Sequence, residues 1–222
     1  GWGSLDQNMP ELVTFWTISW FGHVSLGIAL MLLTFLFILY SIEKNKIFFS
    51  FLSGLVCFII ILFHPYHVVT IFYVMGLYVL FLIFRRDNWR MIAVRNYIIM
   101  ILIAAPSIGY QYYSAHANPV VKAWSKISYP PFSQPIGYLF GLGIILFLAL
   151  FSLPSIIRSG DKKLYFLLTW PVAISVFIYQ PFIFPQRHAV YGVHIVFCAL
   201  AGLGFLKLCE KVKYYSGGVL LN

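Results

Sequence analysis

Residues 26–40 read LGIALMLLTFLFILY, a run without a single charged side chain, and a second uncharged run, IFFSFLSGLVCFIIILF, occupies residues 47–63. A helix needs about 20 predominantly apolar residues to cross the hydrocarbon layer of a membrane. The whole chain is 61% hydrophobic and only 9% charged, whereas soluble domains carry about 25% charged residues. We therefore predict an all-α fold, a polytopic bundle of membrane helices.

Apolar segments of similar length recur along the chain, separated by short polar connectors. No internal repeat or low-complexity linker divides them, so we expect residues 1–222 to form a single transmembrane bundle of about seven helices. The segment 97–114 is the weakest, because Pro106 opposes a regular helix. The seven predicted spans are 22–42, 47–63, 68–84, 97–114, 136–157, 164–184 and 189–206.

The positive charge is confined to alternate connectors. Of the fifteen Lys and Arg residues, all but Lys122, Lys126 and Arg187 follow the first, third, fifth or seventh predicted span. The positive-inside rule predicts that these four connectors face the cytoplasm and that the N-terminal segment faces outward. Membrane topology therefore accounts for the net charge of +9, and we predict no nucleic-acid partner.

Two outward segments are long enough to be distinctive. Residues 1–21 have the helical spacing and tryptophans of an interfacial helix, and residues 115–135 form a loop rich in proline and aromatic residues. The chain begins without Met or a signal peptide, and its last residues resemble the start of another apolar run. We interpret the sequence as a fragment of a longer protein.

All six carboxylates lie outside the predicted spans. Proton pumps and ion-coupled carriers usually depend on Asp or Glu within the membrane, so this pattern disfavours both classes. The last predicted span has no internal Lys for a retinal Schiff base. The chain also lacks the Asp-Arg-Tyr and Asn-Pro-x-x-Tyr motifs of seven-span receptors.

Polar side chains instead recur at the predicted outward ends of the spans. Arg187, Tyr191 and His194 are spaced i, i+4 and i+7, which predicts one stripe along the seventh helix. A guanidinium can bind a phosphate through two hydrogen bonds, and imidazoles can add further donors. The candidate phosphate-binding residues are Arg187, His188, Tyr191, His194, His64 and His67, and His23, His116 and Asn118 are expected at the same face.

Each of these residues also has a structural interpretation. Arg187 could extend to lipid headgroups, and His194 could bond a carbonyl of a neighbouring helix. His64 and His67 flank Pro65, where freed backbone groups need partners. The histidines lack the neighbouring acids and thiols and the spacing of a zinc site, so we predict no metal site and no cofactor. The question of whether a divalent cation binds is left open.

Several stretches together resemble a known family. GHVSLGIALMLLTF (22–35), LFHPYHVVTIFYVMGLYVL (62–80), NPVVKAW (118–124) and PFIFPQRHAVYGVHIVFCALAGLG (181–204) occur in an order similar to the C-terminal half of prokaryotic GT-C glycosyltransferases. This group includes the lipid-phosphosugar-dependent mannosyltransferases and arabinosyltransferases. The resemblance covers most of the chain, as a pattern of spans with a few short motifs.

The resemblance implies an outward active site in a protein of the prokaryotic cytoplasmic membrane. The sugar donor would be linked to polyprenyl phosphate, and the protein would be in contact with membrane lipid. A carboxylate base would activate the acceptor hydroxyl, and basic residues would stabilise the departing lipid phosphate. Asp6 and Glu11 are the outward carboxylates, and either is equally interpretable as ordinary loop charge. Two alternatives remain open: a transporter or flippase of a lipid-linked substrate, and a structural membrane subunit.

Overall fold

The computed structural model describes the backbone of residues 22–120, 135–178 and 192–219, and the side chains of 22–120, 142–176 and 192–212. Over these ranges the regular structure is entirely helical, which confirms the predicted all-α class. The described residues form seven helices. They are α1 (Gly22–Lys44), α2 (Ile47–Phe63), α3 (His67–Phe84), α4 (Arg90–Ala117), α5 (Pro135–Ser159), α6 (Lys162–Ile178) and α7 (Val193–Val219).

Five of the described helices contain an apolar stretch long enough to cross a membrane, as expected of a multi-pass integral membrane protein. Helix α2 carries no charged side chain but has only 17 residues, at the lower limit for a membrane span. The membrane-length stretches are Gly22–Lys44, His67–Phe84, Arg90–Ala117, Leu142–Ser159 and Val193–Val212.

The helices pack as two groups joined through α3. Helix α2 lies against α1 and α4, α5 lies along α7, and α3 contacts both α4 and α6. The buried core is almost continuous and is dominated by Ile, Val, Leu, Met and aromatic side chains. At the junction, Phe35 of α1 packs edge-on against Trp170 of α6, with ring centroids 4.7 Å apart.

Two of the helix pairs approach closely at a glycine, which has no side chain to hold the backbones apart. A Cβ on Gly54 of α2 would lie 2.7 Å from Cβ of Ile103 in α4, and one on Gly204 of α7 would collide with the carbonyl oxygen of Leu148 in α5. Without a hydrophobic driving force in lipid, helices associate through such close backbone approach. These glycines therefore set the spacing of the α2–α4 and α5–α7 pairs.

The helix bounds differ from the predicted spans at charged ends. Helix α4 begins at Arg90 rather than at residue 97 and continues to Ala117, so it reaches about 42 Å and extends beyond the apolar stretch. Pro106 lies inside α4 without ending it. In α5 the backbone is interrupted at Gly143, whose φ of 46° and ψ of −124° are not helical.

Candidate functional site

The two ends of the bundle differ in chemistry. At one end, here called the basic end, the connectors 44–47, 85–90 and 158–163 lie together. Lys163 Nζ is 2.8 Å from Glu43 Oε2, and Lys162 Nζ is 2.7 Å from Asp87 Oδ1. These contacts join connectors that are far apart in sequence. The basic segments that alternate along the chain therefore meet at one end.

The surroundings of the Asp87–Lys162 pair shift the pKa of the Asp87 carboxyl. Desolvation raises the pKa of the Asp87 carboxyl, but the hydrogen bond from Lys162, the backbone N–H of Trp89 and the charges of Lys162 and Arg85 together hold that pKa below its ordinary value. Lys162 Nζ also lies 4.4 Å from the centroid of the Trp89 ring. The pair thus fixes the start of α6 to the connector between α3 and α4.

The opposite end, here called the histidine end, is built around the α2–α3 turn. His64 caps the end of α2 by donating its backbone N–H to the carbonyl of Ile60 at 2.7 Å, and the N–H of His67 donates to the carbonyl of His64 at 3.2 Å. Pro65 lacks an N–H and has a fixed φ, which suits this tight reversal. The turn brings two imidazoles, three positions apart, to the same place.

A third imidazole comes from the start of α1. The His23 ring stacks on that of His64 with 5.7 Å between centroids and an interplanar angle of 19°, and the His64 and His67 rings are 4.6 Å apart. The rings can approach α1 because Gly27 has no side chain; a Cβ there would lie 2.6 Å from His67 Nε2. Sequence analysis expected all three histidines at one face, and the structure brings them together.

The three imidazoles form a gradient from solvent to core. His23 is exposed, His64 is 7% exposed and His67 is fully buried. Burial, followed by the nearby charge of His23, lowers the pKa of His64 to about 4. At neutral pH the His64 ring is therefore uncharged, and it can act as a hydrogen-bond donor or acceptor according to its tautomer.

The start of α7 reaches the histidine end as well. Val24 and Ile28 of α1 pack with Tyr66 of the turn and Ile195 of α7. His194 is half-buried, and its Nδ1 lies 3.6 Å from Cys198 Sγ, one turn further along the same helix. Two of the candidate phosphate-binding residues, His64 and His67, thus share a site, and His194 lies on an adjacent element.

Of the predicted stripe of Arg187, Tyr191 and His194, only His194 lies among the residues that the structure describes. Gly192 has a φ of +76°, in the left-handed region, so a regular right-handed helix does not pass through it. A Cβ on Gly192 would be 2.7 Å from Met31 Cε, which adds a steric reason for glycine. Among the described residues, α7 begins directly after Gly192, at Val193.

Five predicted site residues lie outside the described part of the chain, so their placement is not given. They are Asp6, Glu11, Arg187, His188 and Tyr191. The predicted interfacial segment 1–21 and most of the loop 115–135 lie there too, although residues 115–117 belong to the end of α4.

The end of α4 holds the remaining histidine. His116 Nδ1 lies 2.8 Å from the carbonyl oxygen of Tyr112, one helical turn before it, which gives this imidazole a local structural partner. Nearby, the Gln111 side chain donates to the carbonyls of Ile61 and Leu62 at 2.8 and 2.9 Å. Gln111 was missed by sequence analysis, although an amide within an apolar segment signals a need for a hydrogen-bond partner.

The described residues contain no group of three or more His, Cys, Asp or Glu arranged to hold a metal ion. The described histidine end also has no carboxylate, since all four described acidic residues lie in the connectors of the basic end or near the end of α7. Its chemistry is that of stacked imidazoles, which donate or accept hydrogen bonds according to their tautomer.

No family model, curated protein or solved structure matches this chain.

Proposed function

We propose that this chain is a membrane glycosyltransferase of GT-C type that takes its sugar from a polyprenyl-phosphate donor at the histidine end. The observation that carries the proposal is the convergence of His23, His64 and His67 at the end opposite the ion-paired basic connectors. The resemblance of the motifs supplies the reaction class and the assignment to a prokaryotic cytoplasmic membrane.

The chemistry of the donor motivates this placement. A polyprenyl-phosphate sugar carries its negative charge at headgroup level, directly above its hydrocarbon tail. Donors aimed at a departing phosphate lower the barrier most when they act in a dry, preorganised site. The imidazoles packed between α1, α2 and α3 support such a site, with His194 of α7 and, from the segment before it in sequence, Arg187, His188 and Tyr191 as further candidates. Asp6 and Glu11 remain the candidate bases.

The orientation is tested by cysteine accessibility. The native Cys57, Cys198 and Cys209 would first be replaced by Ser, and single cysteines introduced at Asn88, in the basic end, and at Asn118, beyond the end of α4. We expect a membrane-impermeant maleimide to label Asn118→Cys in intact cells and Asn88→Cys only after permeabilisation. Labelling of Asn88→Cys in intact cells would reverse the topology and remove the outward site.

The activity is tested with the full-length protein in nanodiscs. Binding of polyprenyl phosphate and transfer from radiolabelled polyprenyl-phosphomannose would be measured for wild type, His64→Ala, Arg187→Ala and the control His116→Ala. We expect the first two variants to lose at least ten-fold in donor binding, about 1.4 kcal/mol, and the control to retain it. Unchanged binding in both would refute the phosphate site, whereas binding without transfer would favour the carrier over the enzyme.

A further inference from the structure

The connector between α3 and α4 combines exposed cations with exposed apolar side chains. Arg86 and Arg90 are both exposed. On either side of them, Phe84 is 82% exposed and Met91 is 71% exposed. Large apolar side chains and guanidinium groups on one short segment match the two chemical parts of a phospholipid, its acyl chains and its phosphate.

The acidic residues of the basic end are already engaged. Among the described residues, Glu43 pairs with Lys163 at 2.8 Å and Asp87 with Lys162 at 2.7 Å. Asp161 Oδ1 accepts the backbone N–H of Lys163 at 2.9 Å, at the start of α6. These contacts leave Arg86 and Arg90 without a carboxylate partner in the part of the chain that the structure describes.

The neighbouring Arg85 differs from Arg86 and Arg90 because it packs on aromatic rings of the protein. Its guanidinium lies over two aromatic rings, 5.7 Å from the centroid of Phe81 and 5.0 Å from that of Tyr165. Arg85 therefore packs against α3 and α6. Within the described residues, Arg86 and Arg90 are exposed and make no such ring contact.

The connector is held in shape by its own hydrogen bonds. The N–H groups of Arg86 and Asp87 donate to the carbonyls of Ile83 and Leu82 at 2.9 and 3.0 Å, and Arg86 has a φ of +53°. The N–H of Trp89 donates to Asp87 Oδ1 at 2.8 Å. Such a turn ends α3 as a glycine usually would. The backbone of this turn is therefore fixed before a ligand binds, and binding orders chiefly the two arginine side chains.

We infer that residues 84–91 form a binding site for an anionic glycerophospholipid. Arg86 and Arg90 contact the headgroup phosphate, where a guanidinium can offer two parallel N–H donors, and Phe84 and Met91 lie among the acyl chains. The inference depends on the charges and packing of the basic end and is independent of the glycosyltransferase proposal.

The test uses the whole protein in nanodiscs that contain mixtures of phosphatidylglycerol and phosphatidylcholine, with retained lipid counted by native mass spectrometry. We expect phosphatidylglycerol to be enriched on the wild type, and its apparent affinity to fall about thirty-fold in Arg86→Gln/Arg90→Gln, since each cation near an anionic surface contributes on the order of 1 kcal/mol.

The matched control is Lys163→Gln/Lys207→Gln, which removes the same charge from two lysines that already pair with Glu43 and Glu210. We expect this control to keep most of the enrichment. An equal loss in both double variants would replace the site with a general effect of net charge, and an unchanged Arg86→Gln/Arg90→Gln would refute it. Unfolding temperatures in phosphatidylcholine alone verify that both variants fold.

Discussion

The imidazole of His67 lies directly against the backbone of Gly27, so close that a Cβ at Gly27 would be 2.6 Å from His67 Nε2 and 3.0 Å from Cδ2. His67 is fully buried at the first turn of α3, and the His64 ring is packed 4.6 Å from it. The missing side chain on α1 is thus what allows the imidazoles to assemble beside that helix.

We expect Gly27→Ala to displace His67 and destabilise the protein by about 1–3 kcal/mol, because overpacking a filled interior forces side chains and backbone to shift. Thermal unfolding in detergent measures the effect. The control is Gly22→Ala, whose new Cβ would meet no described residue within 4 Å. Equal unfolding temperatures for the two variants would contradict the contact between α1 and His67.

We expect a second glycine, Gly204, to tolerate substitution by alanine less well than Gly27 does. A Cβ on Gly204 would run into the carbonyl oxygen of Leu148 and approach the backbone nitrogen of Ser152 at 3.3 Å. Backbone atoms of α5 cannot rotate away as a side chain can, so Gly204→Ala must separate α5 from α7. We expect a loss at or above the upper end of the overpacking range, about 3 kcal/mol, measured as the change in unfolding free energy.

Gly202 provides the comparison for this prediction. It lies two residues before Gly204 on the same helix, and within the described part of the chain a Cβ there would meet nothing closer than 4 Å. Gly202→Ala should therefore leave stability unchanged or raise it slightly, because alanine favours helix more than glycine does. If both substitutions lowered stability alike, the loss could not be assigned to the α5–α7 contact at Gly204, and the prediction would be wrong.

The sequence predicted helix positions well because apolar length is a local property. Segment 47–63 coincides with α2, whereas 97–114 is shorter than α4, because hydropathy marks the apolar portion of a helix and not its hydrogen-bonded ends. Contacts between helices were less predictable. That Gly27 accommodates His67, or that Gly192 lies against Met31, depends on which surfaces pack together, and periodicity does not encode this pairing.

A buried polar network joins α1, α2 and α4. Asn96 Nδ2 donates to Ser41 Oγ at 3.1 Å, and Ser50 Oγ donates to the same oxygen at 3.0 Å. All three side chains are fully buried. We expect a double-mutant cycle of Ser41→Ala and Asn96→Ala to give a coupling energy of about 0.6 kcal/mol, and no more than about 1.7 kcal/mol, as for other hydrogen bonds between membrane helices.

The same cycle with Ser107→Ala in place of Ser41→Ala serves as the control. Ser107 is also buried in α4, but its hydroxyl donates to the carbonyl of Ala104 in its own helix at 2.7 Å. We expect no measurable coupling between Ser107 and Asn96. A coupling as large as that of Ser41 with Asn96 would mean that the cycle reports general loosening of the bundle.

The last prediction concerns acid. Burial and the charge of His23 lower the pKa of His64 from 6.5 to about 4, so the folded protein resists protonation of a ring that the unfolded chain protonates readily. Stability is therefore complete above about pH 6.5 and falls as the pH drops toward 4, by up to about 3 kcal/mol. His64→Phe keeps an aromatic ring against His23 and His67 without the titrating nitrogens, and should flatten the unfolding free energy over this interval. His116→Phe, at the exposed end of α4, should retain the wild-type slope. A slope that survives in His64→Phe would assign the acid sensitivity to another group.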